Sequence, residues 1–183
     1  YTRTTRAIEA ADIVVLLLDA STQITDQDKK IAALVQKQKK ASIIAFNKWD
    51  TVDRDTDTMK ETSADFRARF PAMAHSPLIY ISALTGQRLQ KLLEECFALH
   101  ERYGIRVPTA ALNTDVQRWS KQIRAGKIMY VTQAEKIPPA FIFFVKNADQ
   151  FRPEHRKFFE NKLRETYHLE GVPMKLFFRE DRS

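Results

Sequence analysis

"SIIAFNKWD", residues 42–50, runs from an apolar stretch straight into an amide, a cation and a carboxylate. A short apolar run bounded by polar residues and rich in isoleucine reads as a buried strand. Asn47, Lys48, Trp49 and Asp50 then stand at its carboxyl end, the edge where an open parallel sheet binds its ligands. A solvated turn would account for polarity there, but not for that combination in that order. Whether this is a ligand edge depends on what lies on either side.

Upstream, "TRTTRAIEAA" reads as a short helix and "DIVVLLLD" as a fully buried strand. "TDQDKKIAALVQKQKK" follows as a helix with Ile31, Leu34 and Val35 on one face. Thr25 is placed as its N-cap, and Asp26 and Asp28 sit in the first turn, where the helix dipole favours carboxylates over any acid chemistry. Downstream come the helix "TMKETSADFRARF", the strand "LIYI" and the helix "LQKLLEECFALHERY", which Gly104 ends. Short, continuously apolar strands alternating with helices predict a parallel sheet covered on both faces.

Around "GIRVPT" the rhythm changes. A helix, "TAALNTDVQRWSKQI", precedes the strands "KIMYVTQ" and "AFIFFVK", with "AEKIPP" as the loop between them. A helix entered through Pro153 leads to a last strand, "MKLFFRE". Helix, strand, strand, helix, strand predicts a small α+β domain of three strands, with both helices on one face. The expected division is therefore an α/β domain over residues 1–106 and an α+β domain over 107–183.

Composition sets the outer bounds. The chain has 183 residues, 44% of them hydrophobic, which suffices for a buried core. Its longest apolar run, Ile13 to Leu18, is too short to cross a bilayer. No charged-then-apolar leader opens the sequence, so no secretory signal is expected. Cys96 is the single cysteine, which excludes an intrachain disulfide and fits a reducing cytoplasm. Its place in an amphipathic helix suggests a core thiol rather than a nucleophile. The net charge of +7 is uneven: residues 1–106 carry 16 basic against 14 acidic residues, and 107–183 carry 14 against 9. The second part is thus the better candidate to meet a polyanion. His75, His100, His155 and His168 are scattered without ligand spacing, and no metal site is expected.

Three strands of the first part end in polar residues: Asp19, the Asn47–Asp50 group, and Ser82-Ala83-Leu84. A carboxylate such as Asp50 can accept two parallel N–H bonds, and guanine offers such a pair where adenine does not. Asn47 supplies both a donor and an acceptor. The methylene stem of Lys48 can lie on a purine face. The backbone N–H of Ala83 could donate to the guanine O6. A site of paired polar groups rejects the wrong base by about four orders of magnitude, because its own atoms would be left unpaired. Asp19 is expected to cap or brace the sheet edge beside this pocket.

These residues resemble the base-reading motifs of P-loop GTPases: "NKWD" matches N-K-x-D, and "SAL" matches the S-A-K/L loop. Together with "DASTQITDQDKKIA", "TMKE", "ISALTGQRLQKLL" and "VPMKLFFRE", they resemble the second G domain and KH-like domain of the Der/EngA family. That resemblance covers essentially the whole chain. It implies a P-loop GTPase-type parallel sheet that is incomplete, followed by a KH-like α+β domain. It also implies guanine binding by Asn47, Lys48, Asp50, Ser82, Ala83 and Leu84, GTP or GDP as ligand, and Mg²⁺ only in an intact G domain. The implied function is GTP hydrolysis coupled to assembly of the large ribosomal subunit. The implied partners are 50S precursors and rRNA, for a cytoplasmic monomer that does not touch membranes.

Two departures accompany it. A P-loop needs glycines five apart followed by Lys and Ser/Thr, yet Gly86, Gly104, Gly126 and Gly171 show no such spacing, and no D-x-x-G precedes any of them. The chain thus reads as a C-terminal piece with no catalytic residues of its own. KH modules commonly clamp RNA with G-x-x-G, which is also absent. What remains for RNA is basic surface, namely Arg156, Lys157, Lys162 and Arg164 on the last helix, with a solvated face as the equal alternative. Phe141, Phe143 and Val145 are expected in the core. Ile142 and Phe144 share the other strand face, where base-stacking by Phe144 is the secondary option. A non-enzymatic RNA- or ribosome-binding module with a scaffold G-like domain is the rival reading, to be separated by a P-loop in the reading frame upstream of Tyr1.

Overall fold

The computed structural model describes residues 2–52 and 56–181, which form two compact units. The first comprises residues 1–101 with 170–172, and the second 102–169 with 173–183.

In the first unit, α1 (Thr2–Ala10), β1 (Ile13–Asp19), α2 (Asp26–Lys37), β2 (Ala41–Asn47), α3 (Thr56–Arg69), β3 (Leu78–Tyr80) and α4 (Leu89–Tyr103) follow in order. The strands form a parallel sheet in the order β1-β2-β3, the α/β architecture that the alternation predicts. Helix α2 starts where the sequence places it. Thr25 Oγ1 accepts from the Asp28 N–H at 3.2 Å, and the Asp28 carboxylate accepts from the Thr25 N–H at 2.8 Å, a reciprocal capping box.

The core lies on one face of this sheet. Leu16, Leu18, Ile44, Phe46 and Tyr80 pack with Ile8 of α1, Ala32 and Val35 of α2, and Phe66 of α3. Phe46 stacks on Tyr80 at 5.2 Å and meets Phe66 edge-on at 6.0 Å. Burying a side chain of that size contributes about 1.5–3 kcal/mol. On the opposite face Ile43 and Ala45 of β2 are fully buried. Coverage fails at β1, however, where Val15 is 37% and Leu17 53% exposed. The strand expected to be wholly buried therefore has one open face, and its apolar run cannot reveal that. Among the described residues β1 pairs with β2 alone.

Segment 170–172 completes this unit. Gly171 N–H donates to His75 O at 2.8 Å, and Gly171 O accepts from Ser42 N–H at 3.3 Å. Its φ of +76° and the Pro77 Cδ only 2.8 Å from where a Cβ would sit leave room for glycine alone.

The second unit contains α5 (Thr109–Ser120), β4 (Ile128–Lys136), β5 (Pro139–Val145), α6 (Pro153–Thr166) and β6 (Lys175–Glu180). β4 pairs antiparallel with β5, and β5 parallel with β6. The loop expected at "AEKIPP" is mostly strand: β4 continues to Lys136 and β5 begins at Pro139, around a tight turn with a cis Ile137–Pro138 bond. One sheet face carries the core, as the α+β reading predicts. Phe143 packs on Phe178 at 4.7 Å and on Phe159 of α6 at 5.2 Å, while Leu112, Val116 and Trp119 bury the inner face of α5. Asn113 ties α5 to the sheet by accepting from Val131 N–H at 2.8 Å and donating to Val131 O at 2.9 Å. Buried Gln133 is satisfied by Val107 N–H, Ile105 O and Glu135 O.

Candidate nucleotide site at the sheet edge

The carboxyl ends of β1, β2 and β3 meet. Asp19 and Asn47 are register partners, and Ala20 N–H donates to Asn47 O at 2.8 Å. Past Asn47 the chain turns sharply: Lys48 takes a left-handed conformation at φ 63°, and Trp49–Thr51 form a single 3₁₀ turn. Trp49 N–H donates to Ile81 O at 3.0 Å, which lashes this turn to the strand that leads into Ser82.

Trp49, the residue to which sequence reading assigned no role, is the anchor. It is buried and lies 4.4 Å from the Tyr80 ring. A tryptophan inside an otherwise polar turn was the available signal. With the indole locked in the core, the flanking Lys48 and Asp50 have little freedom in where they emerge. Lys48 Nζ reaches Asp19 Oδ2 at 2.6 Å. Asp19 also accepts from the N–H and Oγ of Ser21 through Oδ1. Lys48, and then Ser21, hold the Asp19 carboxyl down to about 2. Asp19 thus braces the edge, as expected, and does so through Lys48.

Asn47 Oδ1 accepts from Ala83 N–H at 2.9 Å. The two loops picked out in the sequence are therefore latched directly to each other. In this arrangement the Ala83 amide, offered by sequence reading to a base carbonyl, is already engaged. Ser82 is fully buried and organises its own loop: its N–H donates to Gln87 O at 3.2 Å, and its Oγ accepts from Thr85 N–H at 3.1 Å. Leu84 stands 88% exposed above it.

Asp50 differs from its neighbours. Its Oδ1 is buried and has no hydrogen-bond partner among the described residues. A carboxylate oxygen removed from water and left unpaired costs more than it returns unless a donor arrives. This is the chemistry of an acceptor waiting for an N–H. The chain has no glycine-rich cradle with its Lys and Ser/Thr, and among the described residues no group of three or more His, Cys, Asp or Glu is placed to hold a metal ion.

The remaining sequence candidates are resolved more simply. Asp26 pairs with Lys29 at 2.9 Å, and Asp28 caps α2. Burial, then Glu95, pushes the Cys96 thiol up, away from nucleophile behaviour. All four basic residues expected on α6 are engaged within the chain. Arg156 donates to Phe151 O at 3.2 Å, Arg164 to Leu169 O at 2.6 Å, and Lys157 and Lys162 lie 4.0 and 3.6 Å from Glu160 and Glu165. No helix among the described residues is long and apolar enough to cross a membrane.

Comparison with known proteins finds two families along the chain. Residues 1–102 match the family described as the elongation factor Tu GTP binding domain, and residues 106–179 match the KH-domain-like family of EngA bacterial GTPase enzymes, C-terminal. A protein named GTPase Der from Heliobacterium modesticaldum is 42% identical over 97% of the chain, and one of the same name from Alkaliphilus oremlandii is 36% identical over the same share. The chain covers 42% of each, less than half the length of these relatives. Among solved structures, Aquifex aeolicus Era bound to GDP·AlF4⁻ is similar at 17% identity, covering 96% of this chain and 67% of that one with a TM-score of 0.46. From the two family matches and the relatives that run through both of them, the chain belongs to the Der/EngA family of bacterial GTPases, with part of a GTP-binding domain ahead of an EngA-type KH-like domain.

Proposed function

We propose that the latched sheet edge reads guanine, and that the chain serves a GTPase acting in assembly of the large ribosomal subunit. In this reading Asp50 accepts the ring N1–H and exocyclic amine of guanine. Asn47 and the Ala83 amide meet its other edge, the stem of Lys48 lies along its face, and Ser82 and Leu84 shape the loop. GTP or GDP is the ligand, with Mg²⁺ held by a complete G domain. Hydrolysis belongs to the protein that carries the phosphate-binding elements, not to residues 1–183 alone. Residues 1–106 supply the nucleotide half, and 107–183 the half that meets 50S precursors and rRNA, in a cytoplasmic monomer.

The observation that carries this is the buried Asp50 Oδ1, without a partner among the described residues, beside the Asn47–Ala83 latch. A purely structural turn would leave no reason to bury an unsatisfied carboxylate oxygen. The test titrates the isotopically labelled chain with guanosine and adenosine monophosphates and follows its amide resonances. Guanosine monophosphate should shift Ala83 and the residues around Asp50, while adenosine monophosphate leaves them in place. Equal shifts with both, or none with guanosine, would remove the base-reading assignment.

A further inference from the structure

Among the described residues β3 pairs with β2 on one side and with no strand on the other. Pro77 O and Ile81 N–H bond to β2, so the backbone groups of Leu78 and Tyr80, which alternate with them in a parallel ladder, point to the open side. A cleft of about 170 Å³ opens there, lined by Leu78, Ile79 and Tyr80 of the strand, Met59 of α3, Arg88 just ahead of α4 and Lys91 in its first turn. An antiparallel bridge between Ser82 and Gln87 turns the chain back on itself, and Arg88 follows in a left-handed conformation at φ 59°. Its guanidinium donates to Tyr80 O at 3.2 Å, which engages one N–H of the fork. No carboxylate pairs with Arg88 or Lys91 among the described residues, and both side chains are exposed.

One occupant has to answer an open strand edge, two cations without a counter-charge, and an apolar wall of Met59 and Leu78. The cleft falls short of the roughly 300 Å³ at which pockets for whole small molecules begin, so it suits a single side chain. A free anion such as phosphate would meet the cations and leave the strand edge and the apolar wall unused. A nucleic acid carries phosphate but no row of N–H and C=O groups at strand spacing. An extended peptide supplies that row. A carboxylate side chain on it would accept from Arg88 and Lys91 together, whereas an apolar one would cover two cations and neutralise neither. We propose that the open edge of β3 takes up an extended acidic segment of a partner protein. The segment's backbone pairs with Leu78 N–H, Leu78 O and Tyr80 N–H, and one Glu or Asp side chain sits in the cleft against Arg88 and Lys91. This goes beyond the reading of guanine and does not depend on it.

The probe is a blocked peptide of about nine residues, alternating Thr and Val around one central Glu, titrated into the isotopically labelled full chain. It should shift the amides of Leu78, Tyr80, Arg88 and Lys91, and slow hydrogen exchange at Leu78 and Tyr80. The same peptide with Gln in place of Glu should bind about tenfold more weakly, the loss expected for a hydrogen bond to a charged group. A version with Pro on both sides of the Glu cannot donate to the ladder and should give no protection at Leu78 or Tyr80. Lys91→Gln changes an exposed helix position. It should weaken the Glu peptide by about threefold to tenfold and leave the Gln peptide unaffected, a coupling that a merely structural lysine would not show. Equal binding of the Glu and Gln peptides, equal protection by the Pro version, or shifts that miss β3 would each overturn the proposal. Acetylated glutamate, inorganic phosphate or single-stranded RNA moving the same four amides as strongly as the peptide would overturn its choice of occupant. The unaltered chain carries the peptide comparison, so the answer does not depend on any variant folding. Titration with guanosine monophosphate, read at Ala83 and around Asp50, decides the base-reading assignment separately.

Discussion

Asp50 and Asp19 show how two carboxylates at one sheet edge take different roles. Asp19 is partnered by Lys48 and Ser21, whereas Asp50 keeps one buried oxygen without a donor among the described residues. Replacing Asp50 by Asn exchanges half of its acceptors for an amide donor, which suits the C2 carbonyl of xanthine. Guanosine monophosphate binding should therefore fall about tenfold to a hundredfold in Asp50→Asn, the worth of hydrogen bonds to a charged group. Xanthosine monophosphate should gain in its place. Calorimetric titration of both nucleotides checks this, and an unchanged preference would take Asp50 out of the base-reading role. For Asp19 the sign follows from its lowered value. Its ion pair contributes fully above the ordinary value of 3.8 and is lost as pH falls through about 2. A carboxyl-carbon NMR titration should place the Asp19 midpoint near 2 in the native chain and raise it only part of the way toward 3.8 in Lys48→Met, where Ser21 still donates to it.

At the scale of elements, β1 and α6 separate what a pattern can say from what packing adds. "IVVLLLD" reads as apolar throughout, yet neighbouring residues of β1 lie in opposite environments. Leu18 is 2% exposed and Leu17 is 53%. Leu18→Ala should cost about 2–5 kcal/mol, the usual price of deleting core methyl groups. Leu17→Thr should change stability by no more than about 0.5 kcal/mol, as surface replacements do. Urea melts of the two variants check the contrast, and similar losses would mean that the open face is covered in solution. The capping box of α2 was legible because Thr25 and Asp28 act within four residues of each other. The pairing of β4 and β5 through Pro139 was not, since prolines mark turns more often than strand ends. On α6 the row of Arg and Lys was plain, but their occupation by Glu160, Glu165 and backbone carbonyls emerged only in three dimensions. The Tyr130–Phe144 stack was equally invisible, because its members lie fourteen residues apart and meet through strand register.

For the whole molecule, the two units divide the chemistry. The first gathers the polar ends of three strands at one sheet edge, and the second carries exposed aromatic residues on one sheet face. Phosphoryl transfer needs a cradle, a metal and an aligned water, and the 183 residues supply none of these motifs. The chain by itself should therefore release no phosphate from GTP above a buffer blank. Measured turnover from a clean preparation would overturn that expectation.

Element order, the parallel sheet and the polar strand ends were determined by the sequence alone, because periodicity, caps and residues clustered at a strand tip are local signals. Tertiary structure decided that Trp49 anchors the turn after β2, that Asn47 holds the Ala83 amide, that one buried Asp50 oxygen lacks a donor among the described residues, and which faces of β1 and β5 are exposed. The physical reason is range. A hydrogen bond or a ring stack joining residues dozens of positions apart forms only once the strands are in register, and no pattern along the chain encodes which of two apolar faces will find a cover.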